Sequence, residues 1–172
     1  MFSSSSSGAS RQVPVNDPAT TVRTGSCLCG SVRYEITGDP FSFRVCHCQN
    51  CRKATGSAFM TNGFFQGKQV HITQGKDTLR SYADPETATG VPLHRYFCSK
   101  CGSNVLLRSE ASLPENITGP RSDVAIVALG TVDKDHPWKP RVELWPELRR
   151  PFVTAIDTTK PKPAAAAISA KL

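Results

Sequence analysis

Between residues 22 and 156, apolar positions recur in short alternating runs, not in helical periods. Within residues 31–37, Val32, Tyr34 and Ile36 fall on one face of an extended segment. Further strand-like runs occupy residues 58–65, 70–73, 79–82, 94–97, 104–108, 124–131 and 141–144. Gly38-Asp39-Pro40, Asn62-Gly63, Gly67-Lys68 and Gly75-Lys76 read as turns between them. Only residues 49–55 read as a helix, with at most one further turn at 114–116. The pattern predicts a mainly β protein, built from small irregular antiparallel sheets of the kind that needs a metal staple.

The pattern stops before either end. Residues 1–20, led by a serine run, and residues 158–172, rich in proline and alanine, predict flexible tails around one domain at 21–157. No apolar run is long enough to span a bilayer, and the N-terminal stretch lacks the apolar segment of a secretory leader. The expectation is a protein without membrane partners in a reducing compartment, either cytoplasmic or peroxisomal. The peroxisomal option rests on Ala170-Lys171-Leu172, a small residue followed by Lys-Leu at the C-terminus.

In such a compartment, seven cysteines argue for metal binding or catalysis, not for a disulfide framework. They fall into three groups: Cys27-Leu28-Cys29-Gly30, Cys46-His47-Cys48-Gln49-Asn50-Cys51, and Cys98-Ser99-Lys100-Cys101-Gly102. The outer groups suit a four-thiolate structural zinc on Cys27, Cys29, Cys98 and Cys101. In an extended backbone Cys27 and Cys29 would face one ion together. Cys98 and Cys101 would sit on a knuckle opened by Gly102. Such an ion closes a loop of about 70 residues, so its binding free energy becomes folding free energy.

The middle group supplies three thiolates. Cys46 and Cys48 are two apart, and Cys51 is one helical turn beyond Cys48. Three protein ligands leave a fourth position open, as catalytic zinc requires. His47, between two cysteines, is expected to point away from the metal, where it could act as an acid or base. A fourth ligand from His71, His94, His136, Asp123 or Glu143 would instead make this site structural.

Charge then sorts the chemistry. Three thiolates and one zinc ion sum to −1, which makes a weak Lewis acid toward water and a better holder of an incoming soft thiol. Arg52 and Lys53 directly follow Cys51 and are candidates for holding a substrate carboxylate. The formal charge of +7 falls to about +4 once seven thiolates bind two zinc ions. The basic residues are scattered, with no stripe interleaved with aromatics, which argues against a nucleic-acid partner.

Three stretches now resemble one family. They are Gly25-Ser26-Cys27-Leu28-Cys29-Gly30-Ser31-Val32-Arg33-Tyr34-Glu35, the run from Cys46 through Cys51-Arg52-Lys53-Ala54-Thr55-Gly56 to Phe59, and Arg95-Tyr96-Phe97-Cys98-Ser99-Lys100-Cys101-Gly102-Ser103. A weaker fourth joins Val142-Glu143-Leu144-Trp145 to Arg149-Arg150-Pro151-Phe152. Together they resemble the glutathione-dependent formaldehyde-activating enzymes, whose domain is shared with a centromere protein. The resemblance implies an Mss4-like fold, a structural zinc on Cys27, Cys29, Cys98 and Cys101, and a catalytic zinc on Cys46, Cys48 and Cys51. It implies a carbon–sulfur lyase of the S-(hydroxymethyl)glutathione synthase type, joining or releasing a thiol such as glutathione and an aldehyde such as formaldehyde. Arg149-Arg150-Pro151-Phe152 departs from the family pattern of a single arginine and a tryptophan. That segment, residues 84–90 and residues 110–121 are the places expected to shape the substrate pocket.

Two alternatives stay open: a related secondary-metabolism enzyme acting on a larger substrate, and a non-catalytic zinc module that binds a partner. Among the aromatics, Phe64, Phe65, Trp138 and Trp145 are candidate pocket residues, at least two of them expected in the core with Phe59. His94 is expected to be a packed or surface residue.

Overall fold

A computed structural model describes residues 19–112 and 123–158. Strands β1 (Val22–Ser26), β2 (Arg33–Thr37) and β5 (Val70–Gln74) form a small antiparallel sheet with β2 in the middle. The larger sheet runs, edge to edge, through β10 (Val142–Leu144), β3 (Ser42–Cys46), β4 (Met60–Gln66), β9 (Val124–Ala128), β8 (Asn104–Ser109), β7 (Leu93–Cys98) and β6 (Leu79–Asp84). Its pairings are antiparallel except β10 on β3, which is parallel. Helix α1 (Gln49–Thr55) links β3 to β4. The mainly β expectation holds.

Period-two alternation gives the large sheet two different faces. Phe43, Val45, Phe65, Ala125 and Val127 join Tyr34, Ile36 and Val70 of the small sheet in one core. Burying each of the larger of these side chains stabilises the fold by about 1.5–3 kcal/mol. Residues one position away face the other side: Cys46, Met60, Ile126 and Ala128 belong to a second cluster there. Phe64 shows the switch clearly, lining a cavity while its neighbour Phe65 is fully buried in the core.

Several local expectations need correction. Asn62-Gly63 is not a turn; both residues lie inside β4 and pair with β9. Gly63 is there for close packing: a Cβ would lie 2.6 Å from Leu129 Cδ2 and 2.8 Å from Phe65 Cε2. The run predicted at 124–131 ends as a strand at Ala128 and continues as a 3₁₀ turn over Leu129–Thr131. Strands β1 and β3 were not expected. β1 carries little apolar signal and is held mainly by its ladder to β2, whereas β3 does alternate through Phe43 and Val45.

The predicted tails, apart from residues 19, 20 and 158, lie outside the described residues, as do the turn at 114–116 and the C-terminal tripeptide. No described helix is long and apolar enough to cross a membrane.

Candidate functional site

All seven cysteines gather into two groups of converging sulfurs. In the first, Cys27, Cys29, Cys98 and Cys101 place their Sγ atoms within 4.8 Å of one another. The Cys27–Cys29 and Cys29–Cys98 separations are 3.6 and 3.8 Å. Metal–sulfur bonds of about 2.3 Å in a tetrahedron give edges of about 3.8 Å. The donor set therefore fits a four-thiolate metal ion.

The geometry that brings Cys27 and Cys29 together is not the extended backbone expected. It is a tight turn, closed by Gly30 N–H donating to Cys27 O at 2.9 Å, with Gly30 at φ +70°. The second knuckle is one residue wider: Gly102, at φ +73°, donates to Cys98 O, four positions back, at 2.8 Å. Both glycines adopt the left-handed backbone that a Cβ disfavours. Ser103 ties the knuckles together, accepting from Leu28 N at 3.0 Å and lying 3.3 Å from Cys101 Sγ. Its hydroxyl and backbone hold the Cys101 thiol down to about 5, while burial pushes Cys98 up to about 11.

The second group is assembled at the junction of β3 and α1. Cys46 ends the strand, Cys48 caps the helix, and Cys51 lies in its first turn. Cys48 Sγ accepts from Cys51 N at 3.4 Å, so the capping bond also aims the sulfur. The three Sγ atoms meet the same 4.8 Å limit. As free thiols they share charge unevenly. Hydrogen bonds from Cys46 and Cys51 hold Cys48 far below the ordinary thiol range, while the contacts with Cys46 and Cys48 push Cys51 up. Cys48 alone is readily anionic, and Cys46 is raised with Cys51, so a cation is what would hold all three as thiolates.

No histidine, cysteine or carboxylate side chain supplies a fourth ligand among the described residues. His71 is exposed on β5, and His94 packs beside Tyr96. His136 stacks on Trp138 at 4.6 Å between ring centroids, and Asp123 pairs with Arg108 at 2.9 Å. Glu143 binds His47 Nε2 at 2.8 Å and Arg149 at 3.0 Å. His47 is fully buried, edge-on to Phe59, and turned from the sulfurs as alternation predicted.

The open side of the trio faces a cavity of about 680 Å³. Cys46, Cys48 and Cys51 form part of its wall, with Phe64, Trp145 and residues 84–89 among the rest. Phe65 and Trp138 pack against each other in and around the core instead. Phe59 is partly buried against the same core.

The cation in this wall is Arg95, which spacing did not single out. It is 7 % exposed, with Nη1 at 4.0 Å from Cys51 Sγ. Asp84 holds it through Nε at 2.9 Å and Nη2 at 2.8 Å. Asn50 Nδ2 donates to the same carboxylate, linking α1 to the network. Arg52 does not line the cavity, and Lys53 lines an adjoining hollow with Asn50, Tyr82 and Glu86.

The family model described as glutathione-dependent formaldehyde-activating enzyme matches residues 22–147. A Halomonas elongata protein, provisionally named as a glutathione-dependent formaldehyde-activating enzyme, is 31 % identical over 143 residues, covering 81 % of this chain and 68 % of its own. A Rhodobacter sphaeroides protein of known crystal structure overlaps 66 % of this chain and 91 % of its own, at 20 % identity and a TM-score of 0.47. The matched span takes in every one of the converging cysteines, and the chain belongs to the glutathione-dependent formaldehyde-activating enzyme family.

Proposed function

We propose that the protein is a zinc-dependent carbon–sulfur lyase or synthase that joins, or releases, a thiol such as glutathione and an aldehyde such as formaldehyde. One observation carries this reading: three sulfurs converge, no described side chain completes their set, and the open side faces a cavity. Zinc held by three thiolates supplies a soft position that keeps an incoming thiol as thiolate.

The remaining work falls to the chain. Cys46, Cys48 and Cys51 hold the catalytic ion, and Cys27, Cys29, Cys98 and Cys101 hold a second, structural one. Arg95, beside Cys51, favours negative charge on sulfur at the cavity floor. Lys53, which lines the adjoining hollow, is assigned to a thiol substrate's carboxylate. In the forward direction the thiolate sulfur bonds to the carbonyl carbon. The C=O π pair moves to oxygen, which takes up the proton that the thiol gave up. Reversal breaks the carbon–sulfur bond and returns thiol and aldehyde.

Pairing of four arginines leaves less free positive charge for a nucleic-acid module. Arg23, Arg95, Arg108 and Arg149 are each drawn into an ion pair with a carboxylate. The test is exchange spectroscopy on a thiol–aldehyde mixture. The metal-loaded protein should accelerate thiohemiacetal formation, and Cys48→Ser should abolish the acceleration. Equal exchange rates with and without protein would remove the enzymatic reading.

A further inference from the structure

The cavity over the three sulfurs has the wrong size for formaldehyde and the wrong polarity for the arms of glutathione. Formaldehyde has two non-hydrogen atoms and is little larger than water, whose share of liquid volume is about 30 Å³. The cavity holds about 680 Å³, within the range of sites for far larger ligands. Its wall is built largely from Phe64, Leu93, Leu107, Ile126, Leu144 and Trp145.

The charged side chains in this wall are Asp84, Glu86 and Arg95. Arg95 is committed to Asp84 through two nitrogens, which leaves the excess negative. Three thiolates with a divalent ion add a further negative charge. Carboxylates are therefore repelled from the interior, and the polar arms of the thiol are left to the adjoining hollow, where Lys53 and Arg95 balance Asp84 and Glu86. The apolar remainder of the chamber is then free for the other reactant.

Trp145 supplies an independent sign. It is the described non-glycine residue with positive φ, at φ 58° and ψ 51°. A bulky side chain is held there only against steric resistance, and such outliers cluster at ligand sites. Here the strained backbone sets Trp145 on the cavity wall next to Leu144, with its surface 43 % exposed.

We propose that the carbonyl substrate is an aldehyde bearing a bulky, uncharged apolar substituent, which lies along Phe64, Leu107, Ile126 and Trp145. The proposal rests on the thiol–carbonyl chemistry assigned above and names its substrate class.

The experiment measures acceleration over the spontaneous reaction, on the full metal-loaded chain, for glutathione with formaldehyde, propanal, hexanal and phenylacetaldehyde. Hexanethiol with formaldehyde is run alongside. Each buried methylene is expected to raise the acceleration about fourfold, so hexanal should exceed propanal by more than tenfold. Trp145→Ala, and separately Ile126→Ala, should lower the hexanal value more than the formaldehyde value. An acceleration that is flat, or falls, from formaldehyde to hexanal overturns the proposal and leaves the thiol–carbonyl chemistry standing. A gain confined to hexanethiol with formaldehyde also overturns it, placing the apolar group on the thiol. No acceleration with any pair removes the chemistry and the proposal together.

Discussion

Arg95 and Cys51 meet across the floor of the cavity, Nη1 to Sγ at 4.0 Å, although 44 residues separate them along the chain. The contact joins strand β7 to helix α1. Asp84 on the neighbouring strand makes it possible, because a guanidinium buried beside sulfur needs a carboxylate partner. Burial alone would lower the Arg95 pKa, but the Asp84 hydrogen bond and the Cys51 charge outweigh it and raise the pKa.

Replacing Arg95 tests this pair. Arg95→Leu strands the Asp84 carboxylate, which is 4 % exposed, and should destabilise the protein by about 3–5 kcal/mol. Arg95→Lys keeps the charge but loses the two-nitrogen grip, so its loss should be smaller. Urea unfolding of both variants measures the difference. Equal losses would show that a positive charge without the fork geometry contributes nothing.

The two cysteine groups should respond differently to single substitutions. Cys98→Ser breaks the set that joins the knuckles after β1 and β7, and cooperative unfolding should be lost. Cys48→Ser should retain the fold while bound zinc falls from about two ions per chain to about one. Metal analysis beside calorimetry reads both. A Cys48→Ser protein that unfolds as Cys98→Ser does would contradict the division between structural and catalytic ions.

Gly63→Ala probes the packing between β4 and the 3₁₀ turn that follows β9. The added methyl meets Leu129 and Phe65 below contact distance, and overpacking of this kind costs about 1–3 kcal/mol. A shift of the denaturation midpoint with an unchanged slope is expected. No shift would mean that Leu129 gives way freely.

His136 gives a pH dependence away from the sulfurs. Burial beside Phe43 and Trp138 is the main cause of its lowered pKa, and Arg23 lowers it further. The unfolded chain therefore binds this proton more readily than the folded one. Stability from this source is fully present above about pH 6.5 and falls as pH drops toward the folded value. His136→Phe removes the group, so the stability difference from the parent should change between pH 7 and pH 5. A constant difference across that window would show that His136 does not contribute.

Local chemistry carried much of this protein in the sequence. Residues 49–55 form the predicted helix with the same bounds, because Cys48 caps it and Gly56, at φ +62°, ends it. Val32, Tyr34 and Ile36 share one buried face as alternation required. The cysteine groups were legible because each needs only a turn or one helical step to converge its own sulfurs. β3 offered a readable alternation at Phe43 and Val45, and Ser103 stood beside the second knuckle. Asn62-Gly63 misled because a pair common in turns was needed here for its missing side chain.

By itself, the order of residues determined the strand periodicity, the helix, the three-thiol set and the two outer cysteine pairs, since all depend on neighbours a few positions apart, whereas Cys29 meets Cys98 across 69 residues. Only the tertiary structure decided which cation meets the sulfur and what surrounds it. Arg52 and Lys53 adjoin Cys51 in the chain, yet Arg95 shares its cavity, because β6 and β7 pair so that Asp84 and Arg95 meet. Phe64 and Ile126, partners across β4 and β9, face one chamber for the same reason: sheet register assigns each side chain to a face, and register is a property of paired strands.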